Sequence, residues 1–478
     1  MKRFIGIALF IMSAAFTAFG QAEFPRETVN TTTPAQTGKI ISVLSGGDLQ
    51  AALNAAQPGD TVEIAAGATF TGKFYFRDKV DNGKWIIVRS SRASELPEGQ
   101  RVSPADAPKM ARLVPNDNAH VFDFYPTSNG FTKARRWRFI GLEIMPNAKY
   151  QPNSNLIKLG TNGSWQTRSE QAPEDIIFDR CYMHGTATGE AFRAVTICAT
   201  RTGIINCYLS DFHVRGFEAQ AILIANAPGP ILIENNYVEG AGENLMSGGV
   251  DLRIKDLVPS DITIRRNYFF KPMSWQGVWS VKNLFELKTG QRVLIEDNVF
   301  ENNWVDGQAG WAILFTTRNQ SGGNPWSAVR DVTFQNNTIR NVAGVFQILG
   351  RDYNYPSERT ERIVIRGNTV DGYGSPELGT NGRFLTMVGD SKDVIVQNNS
   401  AISPDAITPV VFDGLPTSGF VFTDNIFSRG SFGVFGSGQS EGKASLDYYA
   451  PGYVFLRNVI LGGASVAGRY PAGNYFTN

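Results

Sequence analysis

The chain is poor in the groups that metal and nucleophile chemistry most often use. Its 478 residues include only three cysteines and three histidines. Cys181, Cys198 and Cys207 have no zinc-type spacing, which argues against a structural zinc site. Three is an odd number for an exported chain; stacked buried thiols are the expectation, with a Cys181–Cys207 disulfide as the alternative. His120, His184 and His213 stand in no catalytic motif, and His184 and His213 are read as structural neighbours on consecutive coils. A charge excess of one sign is missing too: 45 basic and 44 acidic residues leave a net charge of +1. Neither nucleic acid nor an anionic membrane surface is therefore expected as the main partner. Beyond the N-terminus no apolar run is long enough to span a bilayer, so no membrane span is expected.

What is present begins with "MKRF", an apolar run "IGIALFIMSAAFTAF" and small residues at Gly20 and Ala22. That is the layout of a secretory signal peptide over residues 1–22. The remaining residues 23–478 are expected as one exported domain, secreted or periplasmic and monomeric, with 23–40 as a flexible lead-in. Gly (49 residues) and aromatics (12%) are plentiful, as in a turn-rich β protein that packs rings.

One pattern recurs. "ILIENNYV", "ITIRRNYF", "VLIEDNVF", "VTFQNNTI" and "IVIRGNTV" each show alternating strand positions, a polar turn and another apolar pair. Ten such segments align Cys181, Cys207, Asn236, Asn267, Asn298, Asn337, Asn368, Asn399, Asn425 and Asn458, at intervals of 26 to 39 residues. A fixed feature at that spacing marks a solenoid. Short β-branched strands with no helix between them predict an all-β, single-stranded parallel β-helix whose Asn side chains stack as a ladder. A solenoid end exposes apolar strands and needs a cap. "GGDLQAALNAAQPGD" supplies one as an amphipathic helix over 48–57, with Leu49, Ala52, Leu53 and Ala56 on one face and Pro58-Gly59 as the stop.

The helix, "GDTVEIAAGATF" and the Asn rungs together resemble secreted right-handed parallel β-helix proteins of the pectate-lyase-like superfamily. The resemblance covers nearly all of the chain after residue 22. It implies a fold more than a function, because that superfamily includes lyases, hydrolases, epimerases and non-catalytic adhesins.

Function on such a scaffold must come from the outer face and the turns beside it. In "KNLFELK", strict alternation sets Lys282, Leu284, Glu286 and Lys288 outward and Asn283, Phe285 and Leu287 inward. "VDLRIKD" on the preceding coil would add Asp251, Arg253 and Lys255. "WAILFTTRNQ" on the next would place Arg318 beside Lys288, and "ILGRD" offers Arg351. Five of eight tryptophans, including Trp275, Trp279 and Trp311, fall in the same coils and suggest ring faces for sugar.

A mostly basic outer stripe suits β-elimination from a uronate polymer: a cation neutralises the carboxylate, a base takes the C5 proton, and an acid serves the departing O4. "ELKTGQRVLIEDN" followed by "AILFTTRN" resembles polysaccharide lyase family six, the alginate-lyase and chondroitinase-B-like group. By position, that resemblance makes Lys288 the base and Arg318 the acid or carboxylate clamp; the residues themselves favour a metal-independent site in which Arg253, Lys282 and Arg318 supply neutralisation. Neighbouring cations and partial burial would lower the lysine's pKa. Asp251, Arg253, Glu286, Trp275, Trp279, Trp311 and Arg351 are the expected substrate contacts. The family uses calcium, held by acidic residues a few positions before its Lys; here Val281 and Asn283 stand near those places, so calcium is implied by the family without clear ligands. A glycoside hydrolase, a C5-epimerase and a non-catalytic carbohydrate-binding module remain alternatives on the same scaffold.

Overall fold

The computed structural model describes residues 20–124 and 133–478, so residues 1–19 of the expected signal peptide lie outside the described residues. Three parallel sheets run the length of the molecule. Among the described residues the first sheet has 14 strands, from Ile40–Val43 to Val454–Leu456. The second has 14, ending with Tyr475–Phe476, and the third has 12, from Phe74–Tyr75 to Val434–Gly436. Successive strands of the chain step from sheet to sheet, and each pairs with its equivalent one coil away. The result is a right-handed parallel β-helix.

The interior follows from the alternation of apolar residues. Val195, Ile222, Leu245, Phe285, Ile313, Phe346 and Leu385 stand in one register column of the third sheet, and all are buried. Phenylalanines stack inside: the rings of Phe269 and Phe300 lie 4.8 Å apart, and those of Phe300 and Phe334 5.5 Å apart. Stacking removes both ring faces from water and adds the offset-pair attraction to area burial.

The Asn ladder is present and structural. The amide of Asn236 donates to Oδ1 of Asn267 (2.9 Å), that of Asn267 to Asn298 (2.9 Å) and that of Asn298 to Asn337 (2.9 Å). Each Nδ2 also reaches a carbonyl of the preceding coil, as Asn298 does with Ile264 (3.0 Å). The ladder runs one rung past Asn458, to Asn474. The left-handed backbone falls on the residue before the rung: Asn235, Arg266, Asp297 and Asn336 have φ between 54° and 57°. All three cysteines are free thiols: Cys181 and Cys207 occupy the same slot, with the Cys181 amide donating to Cys207 Sγ (3.3 Å), while Cys198 is buried with Leu223 and Met246.

The capping helix spans Leu49–Ala55, with Asp48 as its N-cap, accepting from the Ala51 amide, and Leu49, Ala52 and Leu53 turned inward. At the other end a helix Lys443–Tyr449 buries Leu446, and the Tyr449 ring stacks on Phe412 at 6.1 Å.

The lead-in corrects an expectation. Residues 20–36 are docked along the outside of the first sheet. The Glu23 amide donates to Asp331 (3.2 Å) and the Arg26 amide to Asp261 (2.9 Å). Val29 is buried against Ile177, Ile205 and Leu232, and the Thr31 carbonyl accepts from Arg138 (2.8 Å). Backbone amides find acceptors in Asp side chains of that face and a backbone carbonyl finds a donor in Arg138, which fixes the segment.

Candidate functional site

Four adjacent strands of the third sheet build the site: Gln220–Ile224, Glu243–Ser247, Asn283–Leu287 and Trp311–Thr316. Their register aligns Gln220 with Glu243 and Asn283, and Met246 with Glu286 and Leu314. Phe285 and Leu287 point into the core as expected, but Leu284 joins them there. The alternation breaks at this point, so Asn283 stands on the Glu286 side, and its Nδ2 donates to Glu286 Oε2 (3.3 Å). Thr316 donates to Glu286 Oε1 (2.9 Å), and Lys288 Nζ lies 3.8 Å from Glu286 Oε2. Gln220 links the next group: its Nε2 donates to Glu243 (2.7 Å), and its Oε1 accepts from Arg193 (2.7 Å). Lys282 Nζ is paired with Glu218.

The coil register places Arg318 differently from a simple strand overlay. Leu287 pairs with Phe315, yet the Arg318 amide donates to the Lys288 carbonyl (2.9 Å), because the chain carries an extra residue at the strand end. Lys288 and Arg318 are thus brought side by side. The Arg318 guanidinium is about one-third exposed and lies 3.4 Å from buried Asp352.

Other expected contacts are placed elsewhere. The strand of the preceding coil is Glu243–Ser247, and Asp251 and Arg253 fall in the loop after it. Asp251 accepts from the Ser321 and Gly323 amides (3.0 and 3.1 Å), which joins that loop to the 319–326 loop. Arg253 is exposed, and its amide bonds to Asn162 and Asn226. Arg351 is paired with Asp390 at 2.8 Å, away from Lys288. The tryptophans are buried, so they do not offer open faces along the third sheet. Trp275 and Trp279 keep 5% and 4% exposure and pack with Trp304 and Val281 at the corner between the second and third sheets. Trp311 is 4% exposed, with Arg383 over its ring at 5.8 Å.

The residues missed from sequence are Glu218, Gln220, Glu243 and Arg193. Aligning "ENLMS" rather than "VDLRIKD" with "NLFEL" would have put Glu243 on the site. A cleft of about 310 Å³ opens beside them, lined by Phe217, Glu218, Ser280 and Lys282 among others. Phe217, 62% exposed, is the open aromatic ring there.

Carboxylates set the electrostatics. Burial works to lower the Lys288 pKa, but Glu286, Glu243 and Glu218 outweigh it and hold the ammonium above the ordinary lysine value. This is opposite in sign to the sequence expectation, which counted neighbouring cations and missed two of the three carboxylates. Burial, then Glu286 and Glu218, pushes Glu243 up to about 7. Two oxygens on paired positions, Glu243 Oε1 and Asn283 Oδ1, are buried without a hydrogen-bond partner. With the Glu286 carboxylate they form an oxygen donor set of the hard type that calcium takes. Among the described residues no group of three His, Cys, Asp or Glu side chains is disposed to hold a metal, so any such ion would rely on amide oxygen as well.

No protein-family model matches the sequence, and no curated protein does. Solved structures do match in fold. A mannuronic acid specific polysaccharide family 6 lyase from human gut microbiota is 12% identical, with 92% of each chain covered and a TM-score of 0.54. An alginate lyase from Paenibacillus sp. str. FPU-7 is 14% identical over 79% of this chain and 98% of its own, with a TM-score of 0.45. A tailspike protein of E. coli bacteriophage HK620, in complex with a pentasaccharide, is 11% identical over 90% of this chain and 62% of its own, with a TM-score of 0.48. At these identities the likeness is one of fold.

Proposed function

We propose that the chain is an exported polysaccharide lyase that cleaves a uronate-containing polymer by β-elimination. The carrying observation is the juxtaposition of Lys288 with Arg318 on the outer face of the third sheet. Lys288 is the candidate base for the C5 proton. Arg318, about one-third exposed beside it, clamps the uronate carboxylate or protonates O4. Lys282 lines the adjacent cleft and adds positive charge where the polymer would lie. Glu286, hydrogen-bonded by Asn283 and Thr316, fixes the lysine head group. A calcium ion held by Glu243, Asn283 and Glu286 would supply charge neutralisation of the substrate carboxylate and offset the acidic field on Lys288.

The test is incubation of the purified protein with a panel of uronate polysaccharides, followed by ultraviolet absorbance of the unsaturated product. Absorbance should rise on at least one polymer and fall by at least about 100-fold in Lys288→Ala, the range that removing a general base usually covers. Full turnover in that variant sinks the base assignment.

A second reading is glycoside hydrolysis, which needs paired carboxylates: Glu218, about one-third exposed, lines the cleft next to buried Glu243 and Glu286. New reducing ends without unsaturated product would select it.

A further inference from the structure

A second cleft lies on the other side of the same corner. It holds about 370 Å³ on the outer face of the second sheet, and its lining includes Tyr182, Tyr208, Trp275, Trp279, Asp211 and Glu239. The loop that follows Lys271 divides the two clefts: Trp275 and Trp279 face this one, Ser280 and Lys282 the other. We propose that this second cleft binds a neutral glycan, with the half-buried Tyr182 and Tyr208 rings meeting sugar C–H groups and Asp211 and Glu239 taking hydroxyls.

The floor is a row of stacked phenols. Tyr208 stacks on Tyr237 at 4.2 Å, and Tyr182 meets Tyr208 edge-on at 5.7 Å. The polar groups are prearranged. Tyr237 donates to Glu239 Oε1 (2.5 Å), the Asp211 amide to Glu239 Oε2 (3.1 Å), and Ser210 to Asp211 Oδ2 (3.2 Å). Behind the lining, His213 is fully buried with neither ring nitrogen hydrogen-bonded. Its ring stacks on Trp279 at 3.8 Å, and its Nε2 lies 4.0 Å from Asp211 Oδ1.

Charge decides the ligand class. No Lys or Arg is among the lining residues, whereas two carboxyl groups are. A uronate would bring a third carboxylate with no cation to meet it, so acidic sugars are disfavoured. Burial raises Asp211 and pushes Glu239 up to about 7, so near neutral pH Glu239 is partly protonated and adds a donor to the carboxylate acceptors for hydroxyls. This proposal does not depend on the lyase reading.

Isothermal calorimetry of the full chain with cello-, manno- and xylo-oligosaccharides tests it. At least one should bind, with affinity at least 10-fold above that of an oligogalacturonate. Binding should fall at least 10-fold in Asp211→Leu. It should fall equally in Ser274→Trp, which fills the cleft from an exposed wall position and leaves the packed residues untouched. No binding by any neutral probe, or binding unchanged in Ser274→Trp, overturns the proposal. Preference for oligogalacturonate, or for chitosan oligomers that carry amines, overturns the neutral-sugar assignment.

Discussion

At the residue scale the decisive fact is that Lys288 sits among acids. Lys282, Glu286 and Lys288 were legible in the sequence as unusual charges in an apolar run. Their partners were not, because Glu218 and Glu243 lie on other coils, and only the register says which residues those coils present. The consequence is a pH dependence with a definite sign. A base must be unprotonated, and the surrounding carboxylates keep the Lys288 ammonium stable above its ordinary range. Lyase activity should therefore climb as pH rises through the alkaline region. Glu286→Gln removes the largest of these carboxylate contributions, so the rising limb of the pH–rate profile should move to lower pH by about one unit, the low end of what one nearby opposite charge does. An unmoved limb would show that Lys288 does not titrate in the rate-limiting step. The tryptophans teach the converse lesson: composition located them in the right coils, but burial at the corner removed most of their faces from solvent.

At the element scale, the fold was readable because each Asn rung repeats one local solution. A side chain that satisfies a turn amide on one coil and a carbonyl on another recurs wherever the same turn recurs. Asn298→Ala should leave the Asn267 amide and the Ile264 carbonyl without their partners and destabilise by roughly 2–4 kcal/mol, one or two buried groups at the usual penalty. Thermal or denaturant unfolding measures it, and a loss below 1 kcal/mol would deny the ladder its structural weight. The turn at Gly240–Gly242 has no such repeat. It is held by the fully buried Lys271, whose Nζ donates to the carbonyls of Gly240, Ala241 (2.9 Å) and Gly242 (3.4 Å). Because that turn leads directly into Glu243, Lys271→Met should loosen the site as well as the fold. A cost of about 3 kcal/mol is expected where three buried carbonyls lose their shared donor. No sequence pattern signals this lysine, since its acceptors are backbone groups roughly one coil away.

At the scale of the whole molecule, the segment before the first strand acts as a strap. Between Glu23, bonded to Asp331, and Gln36, beside Thr61, it passes eight interstrand steps of the first sheet, about 38 Å at 4.8 Å each. Its fourteen residues reach about 46 Å when fully extended, so the chain has little slack and must lie flat on the sheet. That geometry ties distant coils together, which a solenoid otherwise lacks because each coil contacts only its neighbours. A flexible lead-in was the expectation; the anchoring partners are Asp and Arg side chains of the sheet face, which no local pattern in residues 23–40 reveals. Val29 is the apolar anchor, 6% exposed among Ile177, Ile205 and Leu232. Val29→Asp should cost about 2–3 kcal/mol, the transfer of one valine plus an unpaired carboxylate. If the strap couples the coils, the effect should extend beyond position 29. Hydrogen exchange of first-sheet amides near Asp331, three strands beyond Leu232 along the solenoid, should accelerate with it. Exchange confined to the Ile177–Leu232 region would show a local anchor without coupling.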